Sequence, residues 1–389
     1  MFIHALVGSW MNHPFWRTRF LIRTDEEIAK ILDAGIEEVY IDTDKGIDDQ
    51  ESRGAAEVRA EVDAELAEVV NETSGIVLRV PLAEELSNAR QIHSRASKVV
   101  RGMMQDVRLG KAISLGDVEP VVEAITGSLA RNSSALLGLL GIKNKDDYTF
   151  QHSVSVGTLL MAFGRTLDFS PDDLREIGLG GMLHDLGKMK VPDAILNKPG
   201  RLTDDEFAVI KRHPVDGHAI LQETRGVGEI PLDITRHHHE RINGRGYPDG
   251  LSGEAISRHA RMAAIVDVYD AITADRCYHK AMTATEALRR MWEWSSNDFD
   301  RGMLQGFMKC VGIYPVGTVV RLESGIIGVV VEQGEASLLT PRVKAVFHSK
   351  SFRQLPPSVI DLAQSGERIA STESPERWPV DVAAHLGAL

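Results

Sequence analysis

The feature that most constrains the fold of this chain is a set of seven side chains that can bind metal ions. They are His152, the adjacent pair His184 and Asp185, His213, the adjacent pair His238 and His239, and Asp267. We expect helices to carry them, and the fold must bring them together from distant parts of the sequence. A set of nitrogen and oxygen ligands without thiolate suits Fe, Mn, Zn or Ni. Two ions about 3.5–4 Å apart can hold the attacking and leaving oxygens of a phosphoryl transfer, so the sequence predicts a two-metal hydrolase of phosphoesters.

The adjacent pair His184 and Asp185 predicts how two ions would be linked. Neighbouring side chains on a helix diverge by roughly 100° and rarely serve one ion. A carboxylate beside an imidazole can instead bridge two ions while the imidazole binds one of them. The spacing therefore allows Asp185 to bridge two ions.

The residues around these ligands form recognisable motifs. They read G-M-L-H-D-L-G-K-M-K-V-P from Gly181, H-H-E-R-I-N-G-R-G-Y-P-D-G from His238 and V-D-V-Y-D-A-I-T-A-D-R from Val266. Together with Y-T-F-Q-H-S, K-P-G-R-L-T and K-R-H-P, these segments resemble the HD-GYP family, from about residue 147 to about 312. That family is a branch of the HD superfamily of metal-dependent phosphohydrolases, and its members typically hydrolyse cyclic di-GMP.

The resemblance implies that all seven side chains are metal ligands and that Asp185 bridges. It implies divalent ions, with Fe or Mn favoured and Zn, Ni or Mg as alternatives. Some relatives carry a Glu one helical turn before the first His and bind a third ion, whereas this chain has Tyr148 there. We therefore predict two ions.

The resemblance also implies roles for four residues around the metals. Lys188, which completes H-D-L-G-K, would hold a phosphate oxygen or help protonate the leaving alkoxide, and is predicted to be catalytic together with Asp185. Tyr247 would pack on a guanine or contact a phosphate, and the G-Y-P loop would also dock diguanylate cyclase domains. Arg276 would grip the second phosphate, since a guanidinium makes paired contacts with phosphate oxygens. His279 stands where relatives often carry Lys or Arg.

The implied reaction is attack on phosphorus by a water that both ions activate, which opens cyclic di-GMP to pGpG, with a second cut to GMP as an option. Three alternatives remain open from the sequence. They are hydrolysis of another nucleotide or cyclic dinucleotide, di-iron oxygenase chemistry, and a cyclic di-GMP receptor that binds without turnover.

Composition and charge fit a small anionic substrate. The 389 residues carry a net charge of −12, which argues against a broad nucleic-acid surface because such binding needs clustered Lys and Arg. No run approaches the length of a membrane span, and the start lacks the form of a secretory signal, so we expect no membrane insertion and a cytoplasmic protein. Cys277 and Cys310 are expected to be reduced.

We predict a mainly α protein, with an HD-type helical bundle, a small N-terminal α/β domain and a short C-terminal antiparallel β element. The predicted units are an N-terminal regulatory domain at 1–75, a helical connector at 76–146, the catalytic domain at 147–314, the β element at 315–356 and a tail at 357–389. The connector helices would pack on the bundle or across a homodimer.

The N-terminal unit shows two strand-like runs, Arg19–Ile22 and Val39–Ile41, around a helix that opens with a capping box at Thr24. The segments W-M-N-H-P-F-W and I-D-T-D-K-G-I-D resemble a domain of unknown role often found ahead of HD-GYP domains. Residues 55–72 mix strong helix formers with few large apolar residues, which leaves a helix or a flexible arm open. At the other end, a short helix is predicted near Val380–Leu386.

Overall fold

The computed structural model describes residues 1–7, 19–34, 36, 38–47, 52–70, 80–140, 148–198, 200, 202–274, 281–295, 297–334, 337–378 and 380–386. The motif W-M-N-H-P-F-W at 10–16 lies outside the described residues. None of the helices within these ranges is long and apolar enough to cross a bilayer.

The N-terminal unit is a three-stranded antiparallel sheet with one helix. Its strands are β1 (Phe2–Leu6), β2 (Phe20–Leu21) and β3 (Val39–Ile41), in the order β2-β1-β3. Helix α1 (Asp25–Asp33) begins where predicted, and the Glu27 carboxylate accepts the N–H of Thr24 at 3.3 Å. The sequence analysis did not predict β1, although it is the central strand and buries Ile3 in a small apolar core.

The helical body follows, with α2 to α13 in chain order. These helices are α2 (Ala55–Val70), α3 (Leu82–Arg108), α4 (Glu119–Leu140), α5 (Tyr148–Thr166), α6 (Pro171–Leu183), α7 (Asp193–Leu196), α8 (Asp204–Ile210), α9 (His213–Gln222), α10 (Glu229–His237), α11 (Arg258–Ile272), α12 (Ala284–Trp294) and α13 (Arg301–Val311). One buried apolar core runs through the body and includes side chains of α3 and α4 as well as of the helices after residue 148. The mainly helical class is thus confirmed.

Helices α5 and α6 approach each other closely because glycines face each other where they cross. A Cβ added to Gly181 would lie 2.7 Å from the Cα of Gly157, and one added to Gly157 would lie 2.9 Å from the Gly178 carbonyl oxygen. Real Cβ atoms do not approach other atoms so closely. This crossing brings His152 on α5 near His184, which follows α6 directly.

Residues 55–70 form helix α2, not a flexible arm. This helix docks on α12 and α13. Arg289 on α12 forms an ion pair with Asp63 at 2.6 Å. Glu65 accepts the indole N–H of Trp292 at 2.7 Å and pairs with Arg301 at 2.6 Å. Polar contacts therefore hold α2, which explains why its sequence lacks a strong apolar face.

A buried carboxylate joins α3 to α4. Glu85 is 4% exposed, and it accepts hydrogen bonds from Arg131 Nε at 2.6 Å and from Ser128 Oγ at 2.7 Å. Asn88 donates to the same carboxylate at 2.6 Å. The charge of Glu85 is thus paired and hydrogen-bonded, as buried charges in stable proteins must be.

The C-terminal unit is a five-stranded antiparallel sheet in the order β7-β6-β5-β4-β8. Its strands are β4 (Val319–Leu322), β5 (Ile326–Glu332), β6 (Arg342–His348), β7 (Arg353–Asp361) and β8 (Ile369–Thr372), with short helices α14 (Leu362–Ser365) and α15 (Val382–His385).

The prediction of a loose tail at 357–389 is wrong, because β7 and β8 extend the sheet beyond residue 356. Strand β7 contains Pro356 and Pro357, and it is an edge strand, where a residue without an N–H is tolerated. The short terminal helix lies within the range predicted for it.

Candidate metal centre

Six of the seven predicted ligands form two groups, Asp185 of the first group also reaches the second, and Asp267 lies beside the first. One group contains His152, His184 and Asp185, and the other contains His213, His238 and His239, and within each group the ligand atoms all lie within 4.8 Å of one another. Asp185 Oδ2 lies 3.4 Å from His184 Nε2, while Asp185 Oδ1 lies 3.3 Å from His213 Nε2. Asp267 Oδ1 lies 3.0 Å from His152 Nε2. The bridging carboxylate of the sequence analysis thus has one oxygen toward each group.

Most of these side chains lie at the ends of helices, which corrects the expectation that helices carry them. His152 and Asp267 lie within α5 and α11, whereas His184 caps the end of α6. Asp185 has φ −97° and ψ 8° between α6 and a 3-10 helix at Leu186–Lys190. This change of backbone conformation lets His184 and Asp185 face the same site, although the side chains of helical neighbours would diverge. His213 begins α9, and the His238–His239 pair follows α10.

Main-chain carbonyls orient three of the imidazoles. His184 Nδ1 donates to the Gly181 carbonyl oxygen at 2.8 Å, and His213 Nδ1 donates to that of Ile210 at 2.8 Å. His238 Nδ1 donates to the Thr235 carbonyl oxygen at 3.0 Å. A carbonyl can only accept, so each Nδ1 carries a proton, and in the neutral ring Nε2 then offers its lone pair to the site.

Asp270 orients His152 in the same way, and the sequence analysis missed it. Its Oδ2 atom lies 2.6 Å from His152 Nδ1, and the side chain is 2% exposed. Carboxylates that hold the second nitrogen of a ligand histidine fix its tautomer and raise its basicity. The signal was present, because Asp270 follows Asp267 by three residues and so lies on the same helical face.

The electrostatics of the site favour a cation. Burial and the nearby imidazoles hold the pKa values of His238 and His239 well below the usual range, which keeps both rings neutral as metal ligation requires. Burial opposes ionisation of Asp185, but the charges of His184 and Lys188 hold its pKa well below the usual range.

Burial also opposes protonation of His184, yet the Asp185 charge raises the pKa of His184 to about 10. A proton on His184 balances the same negative charge that a bound metal ion would balance. His239 Nδ1 is buried without a hydrogen-bond partner among the described residues. The donor set is therefore compatible with a divalent metal centre.

Lys188 is the one predicted substrate cation that falls within the described residues. It lies on the 3-10 helix, donates to Asp185 Oδ2 at 2.6 Å, and its side chain is 23% exposed. Arg276 and His279 lie outside the described residues, so their contacts stay predictions. Tyr148 begins α5, one turn before His152.

Tyr247 packs against the centre itself. Its ring stacks on that of His239, with centroids 4.6 Å apart and planes 27° apart. Glu240, which is 1% exposed, holds the loop by accepting the N–H groups of Asp249 at 2.8 Å and Gly250 at 3.1 Å. One face of Tyr247 is therefore occupied by a predicted ligand, and the sequence analysis had not foreseen this contact.

Comparison with known proteins shows which families this chain resembles. A family model described as an HD domain matches residues 141–303, and a domain of unknown function matches residues 1–118, past the boundary that we predicted at residue 75. A cyclic di-GMP phosphodiesterase of Pseudomonas aeruginosa is 46% identical over 97% of this chain and 90% of its own length.

Two further relatives are similar over shorter stretches. A cyclic di-GMP phosphodiesterase response regulator of Xanthomonas campestris is 34% identical over 56% of this chain and 56% of its own length. A 3'3'-cGAMP-specific phosphodiesterase of Vibrio cholerae is 36% identical over 41% of this chain and 37% of its own length. The fold and the site thus define an HD-domain protein with a histidine- and aspartate-rich centre. Within that class the chain belongs to the HD-GYP family.

Proposed function

We propose that this protein is a metal-dependent phosphodiesterase that hydrolyses cyclic di-GMP to pGpG, with GMP as a further product. The observation that carries the proposal is the Asp185 carboxylate, whose two oxygens point to two separate groups of buried ligands. The 46% identity to a protein named for this activity, over nearly the whole chain, supports the substrate.

The proposed cofactor is a pair of divalent ions, Fe or Mn, with Zn, Ni or Mg as alternatives. Such ions supply Lewis acidity and lower the pKa of bound water toward about 7. His152, His184 and Asp267 would hold one ion, with His213, His238 and His239 around the other and Asp185 between them. The carbonyls and Asp270 that fix the imidazole tautomers keep these nitrogens aimed before any ion binds.

Lys188 is proposed to stabilise the transition state. Its ammonium donates to Asp185 at 2.6 Å and its side chain is partly exposed, so it can turn toward a phosphoryl oxygen beside that carboxylate. A positive charge held there stabilises the negative charge that develops on the phosphoryl oxygens during attack. Arg276 is proposed to bind the remote phosphate, and His279 to assist it.

The decisive experiment is metal analysis and product chromatography on one anaerobically prepared sample. We expect two ions per chain, and pGpG as the first product from cyclic di-GMP. Preferential cleavage of 3'3'-cGAMP would show that this dinucleotide is the preferred substrate. Binding of cyclic di-GMP without turnover would show that the protein is a receptor. An organic product that gains oxygen would reveal an oxygenase.

Asp185→Ala tests the bridging role. The substitution removes the two carboxylate oxygens, one of which faces each ligand group. We therefore expect turnover to vanish and metal content to fall. The matched control is Asp172→Ala, because Asp172 lies on the exposed surface of α6 with a side chain that is 83% exposed. Wild-type metal content together with a tenth or more of wild-type activity in Asp185→Ala would exclude a bridge.

Two partner roles complete the proposal. Arg245, Asp249 and Gly250 are exposed on the G-Y-P loop, and this surface is proposed to dock diguanylate cyclase domains. A homodimer through the N-terminal half is proposed as well. Sedimentation of the protein alone and with a cyclase domain would test both.

A further inference from the structure

Lys211 is a restrained cation beside the metal centre that the proposed mechanism does not use. It caps the end of α8, two residues before the predicted ligand His213. Its Nζ atom lies 4.8 Å from the ring centroid of Phe207 and 5.3 Å from that of Tyr247. Ring faces attract ammonium groups at such distances, so the two aromatic residues limit where Lys211 can point.

The ammonium of Lys211 has no acidic partner in the described part of the chain. The neighbouring cations differ, since Lys188 pairs with Asp185 at 2.6 Å, Lys198 with Glu206 at 2.6 Å and Arg212 with Asp216 at 3.7 Å. Lys211 is half-buried, and an ammonium has three N–H donors to satisfy. A partly exposed cation without a carboxylate partner among the described residues is suited to an anion that arrives from solution.

Tyr247 connects this cation to the metal centre. The same ring that contacts Lys211 stacks on His239 with centroids 4.6 Å apart. Lys211 therefore lies one aromatic ring away from a predicted ligand, outside the cluster of buried imidazoles. An anion held at Lys211 would be adjacent to a phosphate held at the metals without replacing it.

We propose that Lys211, in addition to the Arg276 proposed above, binds the second phosphate of a cyclic dinucleotide, the one that is not being cleaved. This inference rests on the proposed function, because it needs a substrate with two phosphates. One phosphate must lie at the metal centre for hydrolysis, and the other carries a negative charge that needs a cation outside it. Lys211 makes a charge-assisted hydrogen bond that is the same in the bound substrate and in the transition state, so it lowers KM and leaves kcat unchanged.

The test compares Lys211→Met with wild type on two substrates. Methionine keeps an unbranched apolar chain against Phe207 and Tyr247 and removes the ammonium with its charge and its N–H donors. Bis(p-nitrophenyl) phosphate has a single phosphate, whereas cyclic di-GMP has two. We expect KM for cyclic di-GMP to rise about tenfold at unchanged metal content and kcat, the size of one lost hydrogen bond to a charged group. We expect hydrolysis of bis(p-nitrophenyl) phosphate to stay at the wild-type rate.

Two further variants serve as controls. Lys211→Arg keeps the charge and should restore KM, and Arg212→Ala removes the adjacent exposed cation and should behave as wild type. KM of Lys211→Met should also depend less steeply on salt, because one charge contact is gone.

Several outcomes would overturn the inference. An unchanged KM for cyclic di-GMP would do so, and so would equal losses on both substrates, which would mean that Lys211 only positions Tyr247. A smaller effect on 3'3'-cGAMP than on cyclic di-GMP would assign Lys211 to a guanine instead of a phosphate.

Binding of a hydrolysis-resistant bis-phosphorothioate analogue of cyclic di-GMP separates this inference from the proposed function. If the wild type binds the analogue but cleaves no cyclic di-GMP, the proposed function fails, and the Kd ratio between wild type and Lys211→Met still tests Lys211. A wild type that does not bind the analogue would overturn both.

Discussion

Gly187 packs directly against the backbone of His213, a proposed metal ligand. Gly187→Ala should therefore displace His213 and disturb the candidate metal centre. Gly187 lies in H-D-L-G-K, between Asp185 and Lys188, on the 3-10 helix that packs against the start of α9. A Cβ added here would lie 2.0 Å from the carbonyl oxygen of His213 and 2.5 Å from the backbone nitrogen of Gly217. Both are backbone atoms, so no side chain can rotate away to make room.

The size of the effect follows from these distances. Real Cβ atoms essentially never approach closer than 3.0 Å, so the His213 carbonyl must retreat by about 1 Å. Metal–ligand distances tolerate only about 0.2 Å, so the imidazole of His213 would leave the position that matches Asp185. A misplacement of about 1 Å can cost about a hundredfold in rate, and overpacking of this kind costs about 1–3 kcal/mol of stability.

We therefore expect Gly187→Ala to lose the ion that His213 is proposed to hold and at least about a hundredfold in kcat/KM. Metal analysis and kinetics on the folded variant would measure both, with circular dichroism to confirm the fold. The matched control is Gly102→Ala on α3, where an added Cβ meets nothing within 4 Å. That control should keep full activity and gain about 0.5–1 kcal/mol from better helix propensity. Two ions and wild-type activity in Gly187→Ala would refute the link between this contact and the site.

Two further predictions concern single charges. Lys188→Ala should lower kcat by about a hundredfold with little change in KM, because its ammonium acts on charge that develops only in the transition state, whereas Arg276→Ala should mainly raise KM. A pure KM effect from both would make Lys188 a binding residue. Glu85→Gln should destabilise the protein by about 2 kcal/mol near pH 7, because it weakens charge-assisted bonds from Arg131 and Ser128. Burial opposes ionisation of Glu85, but these bonds hold its folded pKa below the unfolded value, so its contribution is present above the unfolded pKa and is lost as pH falls through the folded pKa. Urea unfolding of both proteins from pH 7 downward should show the gap closing, and a constant gap would contradict this assignment.

The proposed ligands could be predicted because the motifs around them resemble those of the HD-GYP family. Taken singly, an imidazole such as that of His152 or His213 indicates no metal centre. The flanking motifs and their order along the chain indicate it, and the family resemblance implies the bridge. The capping box at Thr24 and the alternating β-branched runs after Thr318 likewise depend on local sequence, and the structure has a helix and strands there. Local patterns determined these elements, and tertiary contacts did not override them.

What the sequence could not supply was the set of contacts between distant segments. The central strand β1 has no distinctive pattern, and it is a strand because β2 and β3 pair with it on both sides. The stacking of Tyr247 on His239 depends on how a loop folds back over the end of α10, which spacing along the chain does not determine. Lys211 had an ordinary appearance in K-R-H-P, and only the positions of Phe207 and Tyr247 distinguish it from a solvated lysine. The proposed metal ligands are thus recognisable from the motifs around them, whereas the proposed role of Lys211 depends on side chains that only the fold brings near it.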